Sequence, residues 1–245
     1  MNYINIMNMK RLIFYTACIL SMPFFISCGA NCINGEGENI SDKRPVDGAV
    51  GICLDIEADV SVVKGPIEVI NIVAQQNILE KIKTQVDDGV LKITSNSCFT
   101  DHEPIRIVVT LPEIESLELN GSGRIWLPDT FAVNDVKLEL NGSGSIDAKF
   151  IAAKIETEIR GSGKILLAGS ANIQEVSVVG SGDFLAEKLP CNETTVKVTG
   201  SGNANVYVIK EMDVKITGSG MVKYRGKPEL TSKVTGYGKV VDDNK

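Results

Sequence analysis

A single histidine, His102, and no Cys-Xaa-Xaa-Cys pair occur in these 245 residues. That scarcity removes the donor sets of ordinary zinc sites, and no metal is expected. No Lys- or Arg-rich run is present either, and 25 basic residues stand against 31 acidic ones. A nucleic-acid partner needs a basic stripe to displace counterions, so none is expected. No Gly-Lys-Ser or Gly-Lys-Thr occurs, which excludes a P-loop. Acidic doublets are confined to Asp87-Asp88, in a turn context, and Asp242-Asp243, near the end of the sequence. Nothing implies a cofactor. What is present is 43% apolar and 23% charged residues, the balance of a chain that folds around a core.

The longest apolar run, LIFYTACILSMPFFIS, follows Lys10-Arg11 and gives way at once to polar GANCINGEGEN. It is short for a membrane span and reads as a targeting segment, 1–27, removed on export. Phe25-Ile26-Ser27-Cys28 resembles a bacterial lipobox, which makes Cys28 the expected lipidation site and the membrane a partner through an N-terminal lipid anchor. An ordinary secretory signal beside a cysteine is the competing reading. Either Met1 or Met9 serves as the start. Residues 28–45 then form a tether, and the expected location is that of an outer-membrane lipoprotein facing the periplasm or the cell surface. Without Lys10 and Arg11, 23 basic residues face 31 acidic ones, a net charge of −8.

With Cys18 in the discarded segment and Cys28 lipidated, Cys32, Cys53, Cys98 and Cys191 remain in an oxidising compartment. Four cysteines allow three pairings. Cys53 and Cys98 each lie on the polar parity of a strand in the same half of the chain, and this pair is the expected disulfide.

One corner recurs seven times: LELNGSGRIW, LELNGSGSID, EIRGSGKIL, VVGSGDFLA, VTGSGNANV, ITGSGMVKY and VTGYGKVV. Its glycines are Gly121 and Gly123, Gly142 and Gly144, Gly161 and Gly163, Gly180 and Gly182, Gly200 and Gly202, Gly218 and Gly220, and Gly236 and Gly238. The first of each pair recurs after 21, 19, 19, 20, 18 and 18 residues. A period near 20 is that of a solenoid and is shorter than helical or propeller repeats. Leucine-rich repeats share the length but need a Leu/Asn consensus that is missing.

Two residues before the first glycine stand Leu119, Leu140, Ile159, Val178, Val198, Ile216 and Val234; four after it, Ile125, Ile146, Ile165, Phe184, Ala204, Val222 and Val240. All are apolar and share one strand parity with both glycines. The expectation is a β-solenoid, residues 117–240, in which both glycines point inward at a bend around a narrow core. Ser122, Ser143, Ser162, Ser181, Ser201 and Ser219 would then form an outward ladder, ended by Tyr237. A dinucleotide fingerprint would continue into a helix, whereas each corner here continues as period-2 strand. A Gly/Ser linker would not carry apolar residues at fixed offsets.

The stretches between corners vary, and each holds apolar residues (Phe131, Ile151, Ile173, Leu189, Ile209, Leu230) that are expected to point inward from a third short face. Residues 46–116 are out of the 20-residue register but alternate well, predicting strands with turns at Lys64-Gly65-Pro66 and Asp87-Asp88-Gly89. They either start the solenoid as irregular coils or cap it, since an open coil end exposes unpaired backbone. Asn77–Val86 fits a short helix or a strand.

The order GEGENISDKRPVDG, LDIEADVSVVKG, ILEKIKTQVDDGVLKI, IRIVVTLPEIESLELNGSG and further Gly-Ser-Gly coils resembles the bacterial family called putative autotransporter adhesin, head GIN domain, over about residues 35–240. The resemblance implies an exported, single-stranded, right-handed parallel β-helix, often a lipoprotein of a Gram-negative envelope; it supplies no catalytic or binding residue. Carbohydrate-cleaving β-helices place carboxylate pairs on one face of adjacent coils, and no such pair recurs beside this serine ladder. The expected function is a non-catalytic envelope protein, adhesin-like, whose Ser, Thr and Asn edge hydrogen-bonds a glycan or protein. A polysaccharide-degrading enzyme and a structural module that pairs into homo-oligomers are the rival classes.

Overall fold

The computed structural model describes residues 32–66 and 68–244. Cys28 and the expected signal segment lie outside the described residues. The described residues form one compact unit, 74% strand and 2% helix, with about seven turns of β-solenoid set about 19 residues apart.

The chain enters through β1 (Ile33–Asn34) and β2 (Asn39–Pro45), then β3 (Gly51–Leu54) and β4 (Asp59–Lys64). It turns through Gly65-Pro66 into β5 (Val69–Gln75), a single helical turn α1 (Gln76–Leu79), and β6 (Ile82–Asp87). Next come β7 (Val90–Ser95), β8 (Phe99–Thr100), β9 (Arg106–Leu111) and β10 (Ser116–Gly121). The long coils are β11 (Arg124–Gly142), β12 (Ser145–Gly161), β13 (Lys164–Gly180), β14 (Asp183–Gly200) and β15 (Asn203–Gly218). The stack closes with β16 (Met221–Arg225), β17 (Glu229–Gly236) and β18 (Lys239–Asp242).

From β10 onward each coil lies parallel on the one before, with Gly121, Gly142, Gly161, Gly180, Gly200, Gly218 and Gly236 in direct register. The aliphatic positions two before and four after the first glycine are at most 1% exposed in the first six coils. Each Val, Leu, Ile or Phe among them contributes about 1.5–3 kcal/mol by leaving water. The seventh coil is the end of the described stack: Val234 is 41% exposed, and β17 is exposed throughout.

The two glycines of a corner do different things, and only the second points into the core. Gly123, Gly144, Gly163, Gly182, Gly202 and Gly220 are buried. A Cβ on Gly144 would meet the Leu119 side chain at 2.7 Å; on Gly163, the Leu140 side chain at 2.6 Å. The first glycines carry φ between +113° and +131° and are partly or fully exposed. From Gly142 on, a Cβ there would run along the stack into the carbonyl of the glycine one coil below, while at Gly121, which has no glycine corner beneath it, the space is open. Strand parity therefore breaks at the corner, and the first glycine is required by its backbone angle and by close stacking rather than by a concave interior.

The variable side also departs from expectation. Phe131 and Leu189 are buried, Ile173 is half-buried, and Ile151, Ile209 and Leu230 are exposed. Phe150, Gln174, Val208 and Met212 take inward places instead. Register shifts fall between Trp126 and Thr130, Leu166 and Ala168, Ala186 and Pro190, and Cys191 and Glu193. The slip at Trp126 and Thr130 is of two residues and keeps the parity, whereas the other three are odd and reverse which residues face inward on one strand relative to its neighbour, so spacing from the glycine loses its meaning beyond them.

Residues 46–116 both extend and cap the solenoid. β3 and β4 lie parallel beneath β10 and the start of β11, with Asp55-Ile56-Glu57-Ala58 in place of the glycine corner. The rung beneath them is β7 and β9, which come later in the chain. Antiparallel β6 and β5 close the outer edges of β7 and β9, and β2 closes β5. The stretch 77–86 holds both the end of α1 and most of β6. The expected tether 28–45 contains β1 and β2, so ordered chain begins within it.

The disulfide joins Cys32 to Cys98, not Cys53 to Cys98. β1 runs parallel to β8 with Ile33 opposite Phe99, which brings the residue before each strand side by side. Cys53 lies mid-rung between Lys92 and Glu118 and is a free, buried thiol, as is Cys191.

Candidate functional site

The seven corners build a backbone ladder. Gly121 O accepts from both Ser143 N (3.0 Å) and Gly144 N (2.9 Å), and Gly142 O likewise from Ser162 N (2.9 Å) and Gly163 N (3.0 Å). Every corner Xaa from Ser143 to Tyr237 donates its N–H to the first glycine of the coil below at 2.8–3.0 Å. With the backbone satisfied, all six serine side chains are left exposed on one edge. Beside them, Asn141 Nδ2 donates to Asn120 Oδ1 (2.9 Å), Asn120 Nδ2 to Asp55 Oδ1 (2.7 Å) and Asn203 Nδ2 to Asp183 Oδ1 (2.9 Å).

At the capped end this edge becomes a groove. The rung below β3 and β4 crosses the corner through the longer loop 96–105, which carries β8. The loop is held from behind: the Cys32–Cys98 disulfide anchors one end, and Thr100 Oγ1 donates to Asn34 Oδ1 (2.7 Å). Gln75, 8% exposed, accepts from Glu103 N at 3.0 Å and donates to Gly37 O at 3.1 Å, tying the loop to the cap. The Phe99 and His102 rings meet edge to face at 6.0 Å.

Between this loop and the stack lies a cavity of about 500 Å³. Phe99, Asp101, His102 and Pro104 line it on the loop side, and Ser122, Arg124, Ser143 and Ser145 on the coil side, with Glu57 and Asp59 from the corner that lacks glycines. The Arg124 guanidinium sits over the Trp126 ring at 5.4 Å, which fixes its direction. Serine, arginine and acidic residues and two rings thus line one concavity. Among the described residues no cluster of three His, Cys, Asp or Glu side chains is set to hold a metal ion.

Of the predicted ladder, Ser122 and Ser143 belong to the groove; Ser162, Ser181, Ser201 and Ser219 continue outside it on the open edge. Phe99, His102 and Arg124 were not picked out by sequence reasoning. The available signal was Cys98, whose true partner pins the loop. A larger concavity, about 900 Å³, lies on the bend opposite, beside exposed Ile151 and half-buried Val133 and Ala152. It lacks a pinned wall and aromatic rings.

No curated protein matches the sequence. Among solved structures, a putative adhesin of Bacteroides fragilis superposes with a TM-score of 0.82 at 20% identity, covering 85% of this chain and 99% of that one. A putative adhesin of Parabacteroides distasonis gives 0.71 at 24% identity, and a putative lipid binding protein of the same organism 0.70 at 24%; each comparison covers 85% of this chain and 98% of the other. These likenesses establish the fold. The family profile described as putative auto-transporter adhesin, head GIN domain, matches residues 51–228, from the first parallel rung to the sixth coil. The chain belongs to that family.

Proposed function

We propose that this is an exported, lipid-anchored envelope protein that binds an extended glycan, without catalysis, in the groove between loop 96–105 and the first two serine corners. The observation that carries this reading is the disulfide-pinned Phe99–His102 wall facing Ser122 and Ser143. A sugar presents an apolar face for a ring and hydroxyls for Ser, Arg and carboxylate partners, and this groove offers both. The membership of an adhesin family and the lipobox-like Phe25-Ile26-Ser27-Cys28 support export and anchoring. The lipid-binding name of one relative of this fold does not carry over easily, because the groove here is rich in charge and hydroxyls.

Glu57, Asp59 and Asp101 on the same groove favour a second reading, carbohydrate hydrolysis by paired carboxylates. The two are separated by glycan-array binding run beside a glycosidase and lyase screen. Binding that Phe99→Ala and Arg124→Ala each weaken about tenfold, with no turnover, supports the first. Turnover of any polysaccharide that Asp59→Asn abolishes establishes the second. Palmitate labelling lost in Cys28→Ala tests the anchor.

A further inference from the structure

Three residues before the first glycine of each corner, at one outward position, the coils carry Glu118, Glu139, Glu158, Ser177, Lys197, Lys215 and Lys233 in direct register. Among these seven rungs the acidic residues occupy the three nearer the cap and the basic residues the three farthest from it; beneath Glu118 the column continues with Cys53 and then Lys92, which pairs with Asp87. Rungs are ~4.8 Å apart, so each half stacks like charges on one another, which opposes folding of an isolated sheet face. Lys137 pairs with Glu139, and Arg160 with Glu158 at 2.6 Å, offsetting part of the acidic half. No ion pair holds Lys197, Lys215 or Lys233 among the described residues.

The row reads as a palindrome of opposite sign, and we infer that this face is the contact surface between two antiparallel copies of the chain. A two-fold axis along the strand bearing Ser177 sets Glu118 against the partner's Lys233, Glu139 against the partner's Lys215, and Glu158 against the partner's Lys197. Two flanking positions agree with the same axis, and one, Glu175, meets its own copy. Lys137 meets the partner's Asp213, and Val179, 42% exposed, meets the partner's Val179 at the centre. Glu175, on the axis, already accepts Lys154 at 2.9 Å. A parallel side-by-side arrangement would instead set every charge against its like.

The size also fits. Seven rungs at ~4.8 Å by a five-residue strand width at ~3.3 Å per residue give roughly 500 Å² from each copy. The total of roughly 1,000 Å² is at the low end for a specific interface. The pair is therefore weak and salt-sensitive, since its charges sit in solvent before contact. It also places the two Cys32 residues at opposite ends.

Charge exchange tests this without reference to the groove. The full chain, kept in solution with detergent, is followed by sedimentation equilibrium at low and high ionic strength. Dimerisation at low ionic strength that weakens at least tenfold with salt is expected. The triple variant Lys197→Glu, Lys215→Glu, Lys233→Glu and the triple variant Glu118→Lys, Glu139→Lys, Glu158→Lys should each be monomeric, and their equimolar mixture should associate again. If either triple variant fails to fold, Lys215→Glu with Glu139→Lys carries the same test. A parent chain that is monomeric at every ionic strength overturns the inference, as does a mixture that does not associate. A monomer that binds dextran sulfate through the three lysines also overturns it, and assigns them to an anionic polymer.

Discussion

The carbonyl oxygen of Gly180 accepts the N–H of Ser201 from the next coil at 2.8 Å, and a Cβ on Gly200 would drive into that same oxygen. Gly200 sits at φ +117°, so alanine there strains the backbone as well as the stack. Gly200→Ala is expected to cost about 3 kcal/mol or more, combining left-handed strain with displaced rungs. Ser201→Ala, one residue on and exposed, should stay within about 0.5 kcal/mol of the parent. Urea denaturation of the two variants measures both, and equal effects would show that the corner tolerates a side chain.

The Cys32–Cys98 bridge closes a separation of 66 residues and fixes the wall of the groove. Cys98→Ser should lower stability by about 2–4 kcal/mol through the freed unfolded chain. It should also increase amide exchange at Phe99 and Thr100, whose strand pairing with Ile33 and Asn34 is only two residues long. Exchange in the β13–β14 coils should be unchanged. Hydrogen-exchange mass spectrometry distinguishes this local loosening from a general loss.

The solenoid is legible because two apolar residues at fixed offsets from a repeated glycine carry most of its core. Leu119 through Ile216 and Ile125 through Val222 face inward as their spacing requires. Legibility stops where the spacing is interrupted. On β12 the inward alternation runs on from Ile146 and Ala148 to Phe150, which leaves Ile151 outside, and the parity changes only between Phe150 and Ile155, where no single-residue pattern marks it. The insertion of β3 and β4 between rungs that follow them in sequence depends on antiparallel β5 and β6, a non-local pairing. The groove was half legible: its serines belong to the repeat, while its aromatic wall depends on Cys32, which lies in what reads as tether.

Burial first, and then the carboxylates of Asp55 and Glu118, push the Cys53 thiol up to about 12, and burial raises that of Cys191. The reactive species is the thiolate, so both should resist alkylation in the native chain at pH 9. Iodoacetamide labelling of Cys53 should be roughly a hundredfold slower or more than in denaturant. The sign for stability follows: the unfolded thiol ionises near 9.0. Its contribution is therefore fully present below that pH and is lost as pH rises towards about 12. Cys53→Ser should flatten the fall in melting temperature across that window.

Gln174 is fully buried on an inward position of β13, and neither its Oε1 nor its Nε2 has a hydrogen-bond partner among the described side chains and backbone. Thr194, opposite it in the next coil, and Thr157 are buried with unpaired hydroxyls as well. A buried amide gains nothing from the aliphatic neighbours of this core and loses its bonds to water on folding. Gln174→Met keeps the volume and removes both polar atoms, and it should raise stability by about 1–3 kcal/mol. Thr194→Val should add a smaller gain, and the two should not be additive, because the residues stack directly. A double-mutant cycle in urea reads this coupling. A loss of stability in Gln174→Met would show instead that the amide is held by polar groups inside the coil.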